Sequence, residues 1–342
     1  MIYKQTKVWT VDNRTEDQQQ TNSISEAALW IKENKLIVFP TETVYGLGAN
    51  ALSEEAVATI FSAKGRPSDN PLIVHIGHEE QLNQLVRTIP DKAKKLVEAF
   101  WPGALTLVFN AKPSVAPNVT AGLDTVGVRM PSHPIAKALL QACDVPVAAP
   151  SANRSGRPSP TSADHVLIDL DGRVDGVIDG GATGIGLEST VLSVVHDPPM
   201  LYRPGGVTVE DIESVIGPIS IDPALQESEA APRSPGMKYT HYSPQAKVVL
   251  VDKPVDLQRL ADDARKQGEK VGVFATRTSF AYRADEVVKS ESLERVAQEL
   301  YATLREFDKR KVTVIYVETV PLSGVGLAIM NRLEKAAGGA RV

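Results

Sequence analysis

Cysteine is all but missing: Cys143 stands alone in 342 residues. No internal disulfide can form, and a thiolate zinc cage is excluded by count. Cys143 therefore reads as a small core residue. Long hydrophobic runs are missing too, since none approaches the roughly 18 to 20 residues that span a bilayer, and Met1-Ile-Tyr-Lys-Gln-Thr6 has neither the basic nor the apolar region of a signal peptide. The expectation is a cytoplasmic protein with no membrane segment. Positive charge is not in excess: the formal net charge of -5 argues against a generally basic nucleic-acid binder, while leaving room for a local basic cleft. The phosphate-loop pattern Gly-x-x-x-x-Gly-Lys-[Ser/Thr] does not occur, so any nucleotide must be cradled in another way. His75 and His78 are the closest histidine pair, but no third ligand stands near them in sequence and a metal centre is not expected there.

What is present suits a globular chain of two domains, with 42% apolar and 23% charged residues. The stretch Lys64-Gly-Arg-Pro-Ser-Asp-Asn-Pro-Leu72 organises the first of them. Ser53 reads as an N-cap followed by Glu54 and Glu55, and Ala56, Val57, Ile60 and Phe61 form one apolar helix face. That helix should end at Lys64: Gly65 suits a left-handed position, Pro67 cannot continue the helix, and Asn70-Pro71 turns the backbone extended before a strand at Leu72–Ile76. Helix capping by Lys64 and Arg66 is one explanation of the two cations, and a ligand site is the other.

The remaining chain alternates short apolar strands with polar loops. A helix is expected at Ser25–Lys32 and a strand at Leu36–Phe39, ended by Pro40. The following Thr41–Ala51 contains a nominal Gly-x-Gly-x-x-Ala, but six residues separate Phe39 from Gly46, whereas a dinucleotide fingerprint needs its glycines at the strand-to-helix turn. A hydroxyl- and glycine-rich loop, for a small polar ligand or as a structural turn, is the reading left. Helical segments follow near Glu79–Arg87 and Asp91–Phe100, then strands at Leu105–Phe109 and Thr125–Pro131. Arg129, set among apolar residues, needs a carboxylate from the protein or from a ligand. Pro146–Ala149 leads into Pro150–Thr161, where hydroxyls, an amide, Arg154 and Arg157 suit either an anion or a solvated turn. Ser189 and Arg203 again place donors at strand ends, where ligands of open α/β sheets gather. A helix near Val209–Ile216 closes the domain.

Residues 1–217 are thus expected to form the first domain and residues 218–245 a proline-rich linker. The linker's Ser234-Pro-Gly-Met-Lys-Tyr-Thr-His-Tyr-Ser-Pro244 carries more chemistry than a spacer needs. From 246 to 342 strands and helices alternate, as in a small parallel α/β domain.

Taken together, Pro40-Thr-Glu-Thr-Val-Tyr-Gly-Leu-Gly48, Lys64-x-Arg66 and Ser151-x-Asn153 resemble the Sua5/YrdC family of L-threonylcarbamoyladenylate synthases. The likeness continues through the linker into the C-terminal domain of the longer, Sua5-type members. It implies a YrdC-like twisted mixed sheet around a positive cavity, followed by a smaller Rossmann-like parallel α/β domain. It also implies condensation of L-threonine, bicarbonate or CO2, and ATP into threonylcarbamoyl-AMP and pyrophosphate. A downstream threonylcarbamoyl-transferase complex would then modify adenosine 37 of tRNA to t6A, with tRNA contact by this chain an open matter. The same resemblance places Thr43, His75, Arg129, Ala149 and Ser189 around threonine. It places Arg66, Asn70, Thr125, Ser151, Asn153, Ser159, Arg203 and Tyr242 around ATP, with Lys64 and Arg66 as the catalytic cations. Tyr242 is the linker residue expected to close over the nucleotide, with Tyr239 and His241 beside it in sequence.

The chemistry so implied is electrostatic. A carbamate oxygen attacks the α-phosphorus, so cations and Mg2+ accompanying ATP must offset repulsion between anions. No protein nucleophile is required, and the sequence identifies no general base. Two other readings compete: a structured-RNA-binding module without catalysis, and a carbamoyl-transfer domain like that of hydrogenase-maturation proteins, whose acylphosphatase-like and zinc-finger modules are absent from this sequence.

Overall fold

The computed structural model describes residues 5–12, 18–225, 242–276 and 280–342. The linker tyrosine Tyr239 and His241 lie outside these residues. Contacts divide the chain into two units. Residues 156–159 and 185–187 belong with the C-terminal unit, and the rest of the chain up to residue 238 forms the first.

Among its described residues the first unit contains β1 (Lys7–Thr10), β2 (Ile37–Phe39), β3 (Gly46–Asn50), β4 (Ile73–His75), β5 (Leu105–Asn110) and β6 (Thr125–Arg129). It continues with β7 (Val147–Ala148), β8 (Gly176–Asp179), β9 (Thr190–Ser193), β10 (Met200–Arg203) and β11 (Ser220–Ile221). These form one mixed sheet in the order β1-β8-β2-β3-β7-β4-β6-β5-β9-β10-β11. The neighbours β4/β6 and β5/β9 run parallel, whereas β4/β7, β5/β6 and β9/β10 run antiparallel.

Glycine explains one departure from expectation. Gly46–Asn50 is a strand and not a loop, and a Cβ on Gly48 would lie 2.8 Å from the Phe39 ring and 2.9 Å from Val147. Two strands close in over a residue without a side chain, so composition alone looks loop-like. The helix expected at Ser25–Lys32 starts earlier, at Gln18. The single helix expected near Glu79–Arg87 is instead a 3₁₀ turn at Glu79–Gln81 followed by a short helix at Leu82–Leu85. The strands β1, β8, β11 and β14 (Glu286–Lys289) were not anticipated. Each is short and owes its order to a distant partner, as in the pairing of Lys7–Thr10 with Gly176–Asp179.

The helix at Glu54–Lys64 follows its sequence signals: Ser53 Oγ accepts from Ala56 N at 3.2 Å, and Gly65 ends it at φ 62°, ψ 41°. Helices 18–32 and 134–143 pack on the sheet around Ile31, Phe39, Leu139, Leu140, Val147 and Ile178, all fully buried. Cys143 belongs to this core, and burial pushes its thiol up to about 12, which keeps it protonated.

In the C-terminal unit β12 (Lys247–Val251), β13 (Val271–Ala275), β14 and β15 (Val314–Glu318) form a wholly parallel sheet in the order β12-β15-β13-β14. Helices 254–266, 293–309 and 325–337 accompany it. Buried on both faces, β13 and β15 read as continuous apolar runs. Glu318, wholly buried at the end of β15, accepts from Thr276 N at 2.7 Å and from the Tyr282 hydroxyl.

Candidate active site

Strand register builds the site. His75 pairs with Arg129 across β4/β6, and the antiparallel β5/β6 register carries the same row on to Thr106. Thr106 pairs with Val191 and Val191 with Arg203. Directly opposed residues share a sheet face, so His75, Arg129 and Thr106 point to one side. Strand β10 shifts register between Leu201 and Arg203, and Arg203 meets that side through Ser189 Oγ, which touches Thr106 Oγ1. Arg129 and Arg203 are three strand steps apart, about 14 Å at the usual spacing. Thr125 lies on the same face by its two-residue spacing from Gly127 and Arg129. Ala149 joins it opposite Ile73, donating its N–H to Ile73 O at 2.9 Å. Gly127 keeps this face low between the arginine and the β5 residues.

Arg129 is buried and held on three sides. Its Nε donates to Gly103 O at 3.0 Å, its Nη1 to Thr43 Oγ1 at 2.9 Å, and its Nη2 lies 2.6 Å from Glu42 Oε1. Thr41 donates to Val44 O at 2.7 Å, so at 2.8 Å Thr43 is left to donate to Thr41. This hydroxyl chain locks the loop before β3 over Arg129. The carboxylate that Arg129 requires is thus one of the protein's own. Burial opposes the charge on Glu42, but Arg129 outweighs it and holds the carboxyl below its ordinary value. The ion pair is close, yet neither Glu42 oxygen nor Arg129 Nη2 has a hydrogen bond of full geometry.

His75 stands beside them. Its ring meets Phe39 edge to face at 6.2 Å, and its Nδ1 has no hydrogen-bond partner. Burial and the Arg129 charge push it down to about 3, so the imidazole is neutral. His133 is also buried with an unpartnered Nδ1, and burial lowers it too.

Lys64 does not cap its own helix. Its ammonium, 3% exposed as a residue, donates to Asn153 O at 2.6 Å, to Asn153 Oδ1 at 3.3 Å and to Ser151 O. The Lys64 carbonyl accepts from Ser155 N at 3.0 Å, and Ser151 Oγ donates to Asn153 Oδ1 at 2.6 Å. The two cation and hydroxyl-amide motifs are therefore one hydrogen-bonded body. Arg66 is half-buried just beyond and donates to Asn70 O at 3.4 Å. Asn70 itself is buried, and its Oδ1 lacks a partner.

Arg203 reaches back to Ser189: Nη2 donates to Ser189 O at 2.9 Å and to its hydroxyl at 3.3 Å, and Nε to Ser189 O at 3.1 Å. Ser189 Oγ lies 2.8 Å from Thr106 Oγ1. Gly205 makes this possible, because a Cβ there would sit 2.3 Å from Thr190 N and 2.4 Å from Glu188 O.

The first unit thus gathers Thr43, His75, Arg129, Ala149 and Ser189, together with Lys64, Arg66, Asn70, Thr125, Ser151, Asn153 and Arg203. Ser159 and Tyr242 belong to the other unit. Tyr242 is buried there, stacked on Tyr301 at 5.4 Å with the Arg332 guanidinium 5.6 Å from its ring centre. Sequence reasoning missed Glu42 and His133 as site residues. Glu42 lies inside the quoted 40–48 motif, and a carboxylate three places from a strand end beside a buried arginine was its available signal. His133 had none.

Residues 30–205 match the Sua5–YciO–YrdC family, described under telomere recombination, and residues 207–338 match the C-terminal domain of threonylcarbamoyl-AMP synthase. A threonylcarbamoyl-AMP synthase of Bacillus subtilis is 53% identical, covering 98% of each chain. One from Pyrococcus abyssi is 51% identical over 91% of this chain and 93% of its own. The crystal structure of P. abyssi Sua5 complexed with L-threonine superposes with a TM-score of 0.94 at 48% identity, over 98% of this chain and 99% of the other. Among the described residues no helix is long and apolar enough to cross a membrane.

Proposed function

This chain belongs to the Sua5–YciO–YrdC family and is an enzyme, and on that premise we propose that it is a threonylcarbamoyl-AMP synthase. It joins L-threonine, bicarbonate or CO2, and ATP into L-threonylcarbamoyl-AMP and releases pyrophosphate. The observation that carries this reading is a pair of anchored cations on strands three steps apart in one sheet, Arg129 held by Gly103, Thr43 and Glu42 and Arg203 held by Ser189, which suits an amino acid and a nucleotide lying end to end.

Arg129 takes the threonine carboxylate through its outer nitrogen Nη2, since Nε and Nη1 are held by Gly103 O and Thr43 Oγ1. Thr43 and the neutral His75 line the same end. Arg203 and Arg66 face the phosphates. Lys64, with its ammonium bound to loop oxygens, holds the Ser151–Asn153 segment in shape and leaves its charge nearby. The carbamate oxygen of the carboxylated amine attacks the α-phosphorus, and pyrophosphate leaves. The work of the protein is positioning and charge compensation, without a covalent intermediate on the chain.

Magnesium accompanies ATP in this proposal. Among the described residues no three His, Cys, Asp or Glu side chains gather to hold an ion, so the triphosphate and water would supply most of its ligands. The product is a mixed anhydride, to be consumed by transferase partners that carry its acyl group to adenosine 37 of tRNA.

The decisive experiment incubates purified protein with ATP, radiolabelled bicarbonate and L-threonine and resolves labelled adenylate. Product and pyrophosphate must both depend on threonine. Equal product without it sinks the assignment, and salt-sensitive RNA retention with no threonine-dependent pyrophosphate release would replace it by an RNA-binding role.

A further inference from the structure

Glu42 is a charged residue at the heart of the site to which the substrate assignments above give no task. The Glu42 side chain is 13% exposed and that of its partner Arg129 4% exposed, while both carboxylate oxygens are themselves buried. Arg129 is anchored through Nε to Gly103 and through Nη1 to Thr43, while Nη2, facing Glu42, has no hydrogen bond of full geometry. Both Glu42 oxygens are in the same condition. The 2.6 Å contact between Arg129 Nη2 and Glu42 Oε1 is thus the part of this assembly that a ligand carrying both charges can exchange.

We propose that Glu42 is the receptor for the substrate's ammonium group, so that the Glu42–Arg129 ion pair is a template into which an α-amino-acid zwitterion inserts. This rests on the threonine reading above. The zwitterion carries its carboxylate and ammonium on adjoining atoms of one carbon. Its carboxylate takes the outer nitrogen of Arg129, its ammonium takes Glu42, and one buried ion pair becomes two. No charge is left unpaired before or after, which matters because breaking a buried pair by removing one member is far costlier than exchanging it. Among the described residues Arg129 is the cation that acts on Glu42. His75 on β4 and His133 before helix 134–143 are the titratable neighbours that feel its charge, and burial keeps both imidazoles neutral. The remaining groups beside the carboxylate are the backbone N–H groups of Glu42 and Ser132, which favour the ionised form.

Specificity follows. The site demands a positive nitrogen beside the carboxylate, because a hydroxy acid would displace Glu42 from Arg129 and leave it without a cation.

The test compares L-threonine with 2,3-dihydroxybutanoate, which replaces the ammonium by a hydroxyl, by titration calorimetry at neutral pH. Wild type is expected to bind threonine at least ~30-fold more tightly. Glu42→Gln is expected to bind the two within ~3-fold, whereas Glu42→Asp, which keeps the charge, retains most of the preference. Undiminished preference in Glu42→Gln overturns the proposal. Where loss of the pair unfolds that variant, wild type alone decides. Threonine affinity must fall as pH rises through the pKa of threonine's own ammonium while dihydroxybutanoate affinity stays flat, and parallel curves overturn the assignment. Equal binding of both compounds by wild type rejects the role of Glu42 alone, and binding of neither rejects the threonine reading beneath it.

Discussion

The ammonium of Lys64 lies 2.6 Å from the carbonyl oxygen of Asn153, and this contact joins two motifs 89 residues apart in the chain. A helix end supplies the cation, and the loop after β7 supplies the oxygens. The lysine therefore acts first on the loop's shape. Lys64→Ala leaves the buried Asn153 carbonyl and the half-buried Ser151 carbonyl without a charged donor, at about 1.5–3 kcal/mol for such a bond. Threonine-dependent pyrophosphate release is expected to fall by at least about tenfold, the factor that 1.4 kcal/mol represents, and chemical denaturation should show the stability loss at the same time. Arg66→Ala, whose side chain is half-buried and less enclosed, should lose turnover with little change in unfolding. Undiminished turnover in both variants removes the segment from catalysis.

Arg129 and Glu42 make a stricter case. Their side chains are 4% and 13% exposed, so Arg129→Met leaves a carboxylate nearly enclosed and without its cation, at a cost of about 3–5 kcal/mol. Removing both charges, as in Arg129→Met with Glu42→Leu, is expected to recover most of that stability while threonine binding stays lost. Urea unfolding of the two single variants and the double variant gives the coupling directly. If the double variant is no more stable than Arg129→Met, the pair is not the unit described.

How far the sequence reached can be judged from particular residues. The helix at Glu54–Lys64 was legible because Ser53, Glu54, Glu55 and Gly65 are local signals, and the structure shows both caps. Arg129 was legible as a buried cation needing a carboxylate, but not which one, because Glu42 reaches it only through the fold of the loop before β3. Gly46–Asn50 reads as a loop by composition, because its glycines are set by contact with Phe39 and Val147, a distant relation that composition does not reveal. The row from His75 to Arg203 depends on the order β4-β6-β5-β9-β10, and no local pattern announces a strand order.

His75 should give stability a pH dependence. Its folded value is about 3, against about 6.5 in the unfolded chain. Between these values the unfolded state binds a proton that the folded state refuses, so stability falls as pH drops from about 6.5 toward about 3. From pH 6.5 to pH 5 the loss from this one group is about 1.6 kcal/mol, the slope reaching about 1.36 kcal/mol per unit only once the unfolded imidazole is fully protonated. His75→Phe should flatten the slope in that window, where carboxylates contribute little. Parallel urea-derived stability curves for wild type and variant would exclude His75 as the cause.

Gly205 offers a test of the Arg203 end that changes no polar group. A methyl there meets backbone on two sides, 2.3 Å from Thr190 N and 2.4 Å from Glu188 O, and neither can rotate away as a side chain would. The chain on either side is pinned: Val207 N donates to Thr190 Oγ1 at 3.1 Å, and Arg203 donates to Ser189 O at 2.9 Å. Gly205→Ala must therefore push the segment carrying Arg203 away from the segment carrying Ser189. Overpacking of this kind costs about 1–3 kcal/mol, and the displacement breaks the arginine's grip on the serine carbonyl. Expected results are a lowered unfolding midpoint and ATP affinity weakened about tenfold or more, at 1.4 kcal/mol per decade, with the Lys64–Asn153 clamp intact. With Arg203 on the nucleotide side and Arg129 at the threonine end, as proposed, threonine affinity should change less than ATP affinity. A variant that binds ATP as tightly as wild type, measured on folded protein, would show that the Arg203 to Ser189 contact has no part in holding the nucleotide.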